Sequence, residues 1–243
     1  MLNAATIPVP VLSITLSPFR ARLATLAGWL AIGILSLAAS FANAANPDDL
    51  WVFIKNDRAD DVKALVAAGL NPNSKTKMGN SALMQSVRDG AWSTFDLLVA
   101  NQKVDVNLAN EYEETPLMYV ALIGDVSRAK ALVARGAQVN KLGWTPLHYA
   151  AVKGNLDMVQ YLLANEAMPN APSPAGDNPL MMAVQSGNTQ VVQALINAGA
   201  DPAAVNQKGE DAIDIARQKG NATLASALEK ILRDRRANQQ KSN

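Results

Sequence analysis

His148 is the only histidine in the chain and cysteine is absent. A zinc site or acid-base dyad built on imidazole therefore lacks a second member, and thiol nucleophiles, disulfides and Cys-based metal sites are excluded together. No serine sits in a Gly-x-Ser-x-Gly elbow, and no Gly-x-x-x-x-Gly-Lys loop is present to cradle phosphate. Acids do cluster, at Glu111, Glu113 and Glu114. Paired carboxylates serve hydrolases and cation sites, but no partner acid-base group stands beside these. A solvated loop, or attraction of a basic patch on another protein, is the expected role. Of the eight methionines, Met84, Met118, Met158 and Met181 recur at positions that read as packing filler. No cofactor, metal or small-molecule substrate is expected.

What positions these residues is a repeat. Ser81-Ala-Leu-Met84, Thr115-Pro-Leu-Met118, Thr145-Pro-Leu-His148, Asn178-Pro-Leu-Met181 and Asp211-Ala-Ile-Asp214 align when the chain is laid on itself, at steps of 34, 30, 33 and 33. A glycine follows nine positions after the start of each tetrad, at Gly90, Gly124, Gly154, Gly187 and Gly220. Apolar residues at helical spacing come next, as in Val159, Leu162 and Leu163, and then a turn such as Gly136-Ala137 or Gly199-Ala200.

Each part has a physical reason. Ser, Thr, Asn or Asp accepts hydrogen bonds from the open amides of a helix start, and proline follows where a missing amide hydrogen costs nothing. The later glycine ends the helix in a left-handed conformation, and a second helix returns antiparallel. A lone helical hairpin cannot bury its apolar face, so units must stack into a solenoid. The reading is all-α.

Thr145-Pro-Leu-His-Tyr-Ala-Ala151, Gly154-Asn155, Val159, Leu162 and Leu163 closely resemble the ankyrin repeat, and the other units match with more substitutions. The resemblance implies an ankyrin solenoid of about six units with finger loops. Asp49 to Asn56 and Ala59 to Ala68 read as an atypical first pair, and the unit begun by Asp211 reads as the closing cap. It also implies that His148 is structural, bonding between neighbouring repeats.

The phase breaks in places. Asn140 to Thr145 spans five positions where Asn73 to Ser81, Asn107 to Thr115 and Asn170 to Asn178 span eight, so one finger is three residues short. Asn101-Gln-Lys-Val104 and Glu166-Ala167 stand where Gly-Ala is expected. Ankyrin scaffolds generally bind through the fingers and the exposed side of the first helices. By register these positions include Met78, Arg88, Tyr112, Glu114, Leu122, Ile123, Leu142, Trp144, Lys153 and Gln185. Tyr112, Leu122, Ile123, Leu142 and Trp144 are expected close together on the concave side, an aromatic and aliphatic centre ringed by charge. The alternative is that Leu142 and Trp144 fold back over the shortened finger.

Arg20 and Arg22 precede an uncharged run from Leu23 to Ala39, and Ala42 and Ala44 form an A-x-A site. Residues 1–44 read as a signal peptide cleaved after Ala44, 45–232 as the repeat domain and 233–243 as a polar tail. A retained membrane anchor is the alternative, and membrane contact is expected only in that case. Without residues 1–44 the chain has 20 basic and 21 acidic residues, with no basic face for nucleic acid. The expected function is a non-enzymatic scaffold in the periplasm that binds another exported or envelope protein. A secreted effector that binds a host protein is the second reading, and a small hydrolase with a carboxylate site on the concave face the third.

Overall fold

The computed structural model describes residues 46–242, so the expected signal segment and its cleavage site lie outside the described residues. Within them the chain forms twelve helices and no strand. They pair as α1 (Asp49–Lys55) with α2 (Ala59–Ala67), α3 (Ala82–Asp89) with α4 (Trp92–Ala100), and α5 (Pro116–Ile123) with α6 (Val126–Ala134). Then come α7 (Pro146–Lys153) with α8 (Leu156–Ala164), α9 (Pro179–Ser186) with α10 (Thr189–Asn197), and α11 (Ala212–Gln218) with α12 (Ala222–Ser242). The odd-numbered helices stack on one another along the chain, and α2, α4, α6, α8 and α10 form a second layer behind them. This is the six-unit solenoid that the repeat implies. No described helix is long and apolar enough to cross a membrane.

The tetrads start helices for the expected reason. Ser81 Oγ accepts from the Met84 amide, Asn178 Oδ1 from the Met181 amide, and Asp211 Oδ1 from the amides of Ile213 and Asp214. Gly90, Gly124, Gly154 and Gly187 end α3, α5, α7 and α9 with φ between 68° and 82°. The third tetrad residue in each unit, from Leu83 and Leu117 to Leu147 and Leu180, is buried in one continuous core. Packing is most extensive between α5 and α7 and between α7 and α9. Ala121, Ala150, Ala151 and Ala183 are fully buried there, and their small side chains let the helix backbones approach.

Two polar systems order the loops, and the first ties unit to unit. Asn73, Asn107, Asn140 and Asn170 each donate to a turn carbonyl of the next unit, those of Lys103, Gly136, Glu166 and Gly199, at 2.8–3.0 Å. Each also accepts an amide of that turn, from Asp105, Gln138, Met168 and Asp201, at 2.7–2.9 Å. Four fingers are closed by a side chain five positions before the tetrad: Thr76, Asn110, Ser173 or Asn206 accepts from one or two amides of its own finger. In the fourth unit that position is Asn140, already occupied in the ladder. The three-residue deletion has merged the two roles, leaving Lys141-Leu142-Gly143 as a turn without its own clasp.

The end of the chain departs from the sequence reading. Residues 233–242, expected as a polar tail, continue α12. Arg235 donates from Nη1 to the Ala200 carbonyl at 2.7 Å and from Nη2 to the Ile196 carbonyl at 2.8 Å, holding that helix against the fifth unit.

Candidate functional site

His148 opens the fourth unit from inside. It is fully buried. Its Nδ1 accepts from the Thr145 amide at 3.2 Å and lies 2.8 Å from the Thr145 hydroxyl, while Nε2 faces the Asp177 carbonyl of the next finger at 3.1 Å. With Nδ1 accepting an amide hydrogen, the proton belongs on Nε2, which donates to Asp177. The ring joins two units, the structural role that the resemblance implies.

Above it lies a cleft of about 200 Å³ lined by Leu122 of α5, Trp144 of the shortened finger, His148, Tyr149 and Val152 of α7, and Met182 of α9. Trp144 is half-buried and meets His148 and Tyr149 edge to face, with ring centroids 5.3 and 6.2 Å apart. The His148 ring and the Tyr149 hydroxyl are committed elsewhere, to Asp177 and to Glu114 Oε1 at 2.5 Å, and the indole N–H of Trp144 is the further side-chain donor of the lining. What the cleft offers is an apolar, largely aromatic wall.

Glu114 is the anchor of that wall. Its Oε2 accepts from Asn110 Nδ2 at 2.8 Å and from the Tyr119 hydroxyl at 3.1 Å, so one carboxylate clamps tyrosines from two units. Burial, followed by the hydrogen bond to Glu114 and its charge, pushes the Tyr149 phenol well above the ordinary tyrosine range. Burial and the Glu114 charge raise Tyr119 as well, partly offset by Arg88. Glu113 contacts Lys141 through both its carbonyl and its carboxylate. These acids are therefore engaged in the framework rather than poised as an acid-base pair, and among the described residues no group of His, Asp and Glu is arranged to hold a metal.

The ten positions expected at an interface do not form one patch. Leu122 and Trp144 share the central cleft. Ile123 is exposed beside it, and Lys153 is exposed at the end of α7. Tyr112, 76% exposed, projects from the third finger. Leu142 neither joins Trp144 nor folds over its finger: it is 95% exposed and lines a separate hollow with Met168, Pro169 and Pro172. Met78 belongs to a depression with Trp51, Lys55, Lys75 and Lys77 at the first two units, and Gln185 to another with Asp177, Lys208 and Glu210 at the last two. Arg88 is exposed at the end of α3.

Tyr149 and Met182 escaped the sequence reading. They occupy the position directly after the tetrad, where Gln85, Tyr119 and Ile215 stand in other units. That position lies three and four residues before Val152 and Lys153, hence on the same helix face, and the spacing alone would have placed it on the groove.

Comparison with known proteins agrees with this architecture. A family model of three ankyrin repeats matches residues 83–173 and a single ankyrin repeat matches residues 175–207. The chain is similar to a transient receptor potential cation channel subfamily A member 1 homolog of Caenorhabditis elegans, 36% identical over 92 residues, which are 37% of this chain and 8% of that protein. It is 28% identical over 121 residues to human neurogenic locus notch homolog protein 1, covering 49% of this chain and 5% of that one. The chain thus spans less than a tenth of the length of these relatives. An ankyrin repeat domain from Acinetobacter baumannii AYE superposes with a TM-score of 0.65 at 24% identity, over 76% of this chain and 98% of that one. In sequence and in fold, this chain belongs to the ankyrin-repeat family.

Proposed function

We propose that this chain is an exported, non-enzymatic scaffold that works in the periplasm and holds, stabilises or regulates another exported or envelope protein. Ankyrin repeats generally serve protein-protein interaction, and one observation carries the reading to particular residues. The central cleft gathers Leu122, Trp144, Tyr149, Val152 and Met182 from three units into an apolar, largely aromatic wall, with the His148 ring and the Tyr149 hydroxyl already bonded within the framework. A surface of that composition, with charges around it, suits a protein anchor residue. Export rests on the basic, apolar and A-x-A pattern of residues 20–44.

Binding is tested by capture. The tagged full chain, expressed in its native host, is expected to retain a partner that Leu122→Asp and the Trp144→Ala, Tyr112→Ala double variant lose while their helical circular dichroism is unchanged. Undiminished capture by the folded variants overturns the assignment of the site. Cell fractionation with intact mass measurement tests export: a mature chain beginning at Ala45 in the periplasmic extract is expected. Recovery from the medium makes it a secreted protein, and an uncleaved mass in membranes makes residues 23–39 an anchor.

A further inference from the structure

The seam between the second and third units is built differently from its neighbours. α3 packs on α5 less extensively than any other pair of adjacent odd-numbered helices pack, and α4 meets α6 less than α2 meets α4. Ser86 and Val87 stand in α3 where α7 has Ala150 and Ala151, the small side chains that let the central helices approach. Two ties of the central units are missing as well. Asn155 donates to the Ala121 and Leu122 carbonyls at 3.2 and 3.1 Å, and Asn188 to the Gly154 carbonyl at 2.9 Å, each reaching back to the preceding unit. In the third unit that position is Asp125, whose carboxylate has no hydrogen to donate and accepts instead from Arg128 of its own unit. His148 joins its unit to the next finger, whereas Met84 occupies that position in the second unit and carries no donor.

The apolar core continues across this seam, but what fastens it is long polar side chains. Arg128 bonds both carboxylate oxygens of Asp96 at 3.2 and 3.1 Å and lies over the Trp92 ring, 4.4 Å from its centroid. Arg135 donates to the carbonyls of Val99, Asn101 and Val104, clamping the turn that carries the extra residue. At the fingers, Asn73 and Lys75 reach the Lys103 and Ala109 carbonyls. Asn80 lies inside, 1% exposed, with its Oδ1 shared by Asn110 Nδ2 at 3.2 Å and the Tyr119 hydroxyl at 3.3 Å. Its Nδ2 has no hydrogen-bond partner among the described residues. A buried donor left unpaired penalises the closed seam, and solvation relieves that penalty when the seam opens. The first two units, by contrast, hold each other: Asp57 accepts from the Ser93 and Thr94 amides, and Leu50, Ile54 and Val62 are fully buried.

We propose that α1 to α4 detach along this seam as one cooperative piece, with Arg128 and Arg135 as its latches, while the third to fifth units stay folded. The depression around Trp51 and Met78 rides on the detachable piece, and the central cleft stays with the block. This is a property of the free chain and does not depend on the binding reading above.

The test is hydrogen exchange of the purified full chain, read by mass spectrometry at rising sub-denaturing urea. Peptides from α1, α2, α3 and α4 are expected to share one opening with a common urea dependence, at least about tenfold more frequent than the opening of α7 and α9. Arg135→Ala removes three hydrogen bonds from a charged donor and is expected to make the shared opening about tenfold more frequent, leaving α7 to α10 within about twofold. Arg128→Gln serves as the second variant should that one fail to fold. The proposal is overturned if α1 and α2 open separately from α3 and α4, which is fraying from the end. It is equally overturned if α3 and α4 exchange only together with α7 and α9, or if the arginine variants speed every unit alike.

Discussion

At the scale of single residues, fit is decided by what each side chain can share with its neighbours. Burial lowers the affinity of His148 for a proton below the ordinary imidazole value, against the Asp177 and Ala171 carbonyls and the Asp177 charge, which favour the charged ring. The unfolded chain therefore binds more protons than the folded one below about pH 6.5, and stability falls as pH drops through that value. Three other units place methionine here, and Met84 and Met118 sulfurs face the same tetrad amide that His148 Nδ1 accepts. His148→Met is expected to flatten the decline in melting temperature between about pH 7.5 and 5.5, measured by circular dichroism. An unchanged slope would place the titrating group elsewhere. Glu113 and Glu166 are left-handed, with φ of 61° and 63°, where glycines stand in equivalent turns. The Glu166-Ala167 departure is visible in the sequence, and Glu113 departs in the same way from Gly79, Gly143, Gly176 and Gly209, the left-handed glycines two positions before the other tetrads. Glu166→Gly is expected to raise stability by about 0.5–1 kcal/mol in urea unfolding, relief of side-chain strain outweighing the added freedom of the unfolded chain.

At the scale of elements, starts and stops were legible because capping chemistry is local: Ser81, Asn178 and Asp211 announce helices by side chains that bond within three residues. What crosses from one unit to the next was harder to see. Asp57 caps α4 from the preceding hairpin, accepting from the Thr94 amide at 2.8 Å and the Ser93 amide at 3.1 Å, and the sequence beside α4 shows only Ala91 at that position. Desolvation raises the Asp57 pKa, but the Thr94 and Ser93 hydrogen bonds outweigh it and hold the group below its ordinary 3.8. Its contribution is therefore present above about pH 4 and lost as pH falls further. Asp57→Ala is expected to cost about 1 kcal/mol at neutral pH, with amide exchange of Ser93 and Thr94 accelerating most. The extension of α12 was illegible for the same reason: Ala237 to Asn243 is polar, and the contact that secures the helix is Arg235 on carbonyls of the fifth unit, nearly forty residues earlier.

At the scale of the whole molecule, stability is a chain of nearest-neighbour contacts, densest around α7. Leu147→Ala, in the middle of the stack, is expected to cost about 2–5 kcal/mol and to broaden or split the unfolding transition, as the halves on either side lose their coupling. A single sharp transition with a small loss would show that neighbouring alanines collapse into the space. The groove was legible in outline, since register assigned its rims, while the concentration of its apolar part at Tyr149 and Met182 depends on how α7 and α9 face one another. The asparagine ladder has a consequence for how such a chain can change over time. Each rung joins one turn to the next, so a gained or lost segment preserves every bond only when its breakpoints fall at equivalent rungs, and lineages of this protein should differ by whole repeats. Shorter changes keep the rungs only where both partners of a rung stay in reach: in the finger, where the interval from Asn140 to Thr145 is three residues short, and in the turn at Asn101 to Val104, which takes one extra residue and still offers the Lys103 carbonyl and Asp105 amide to Asn73.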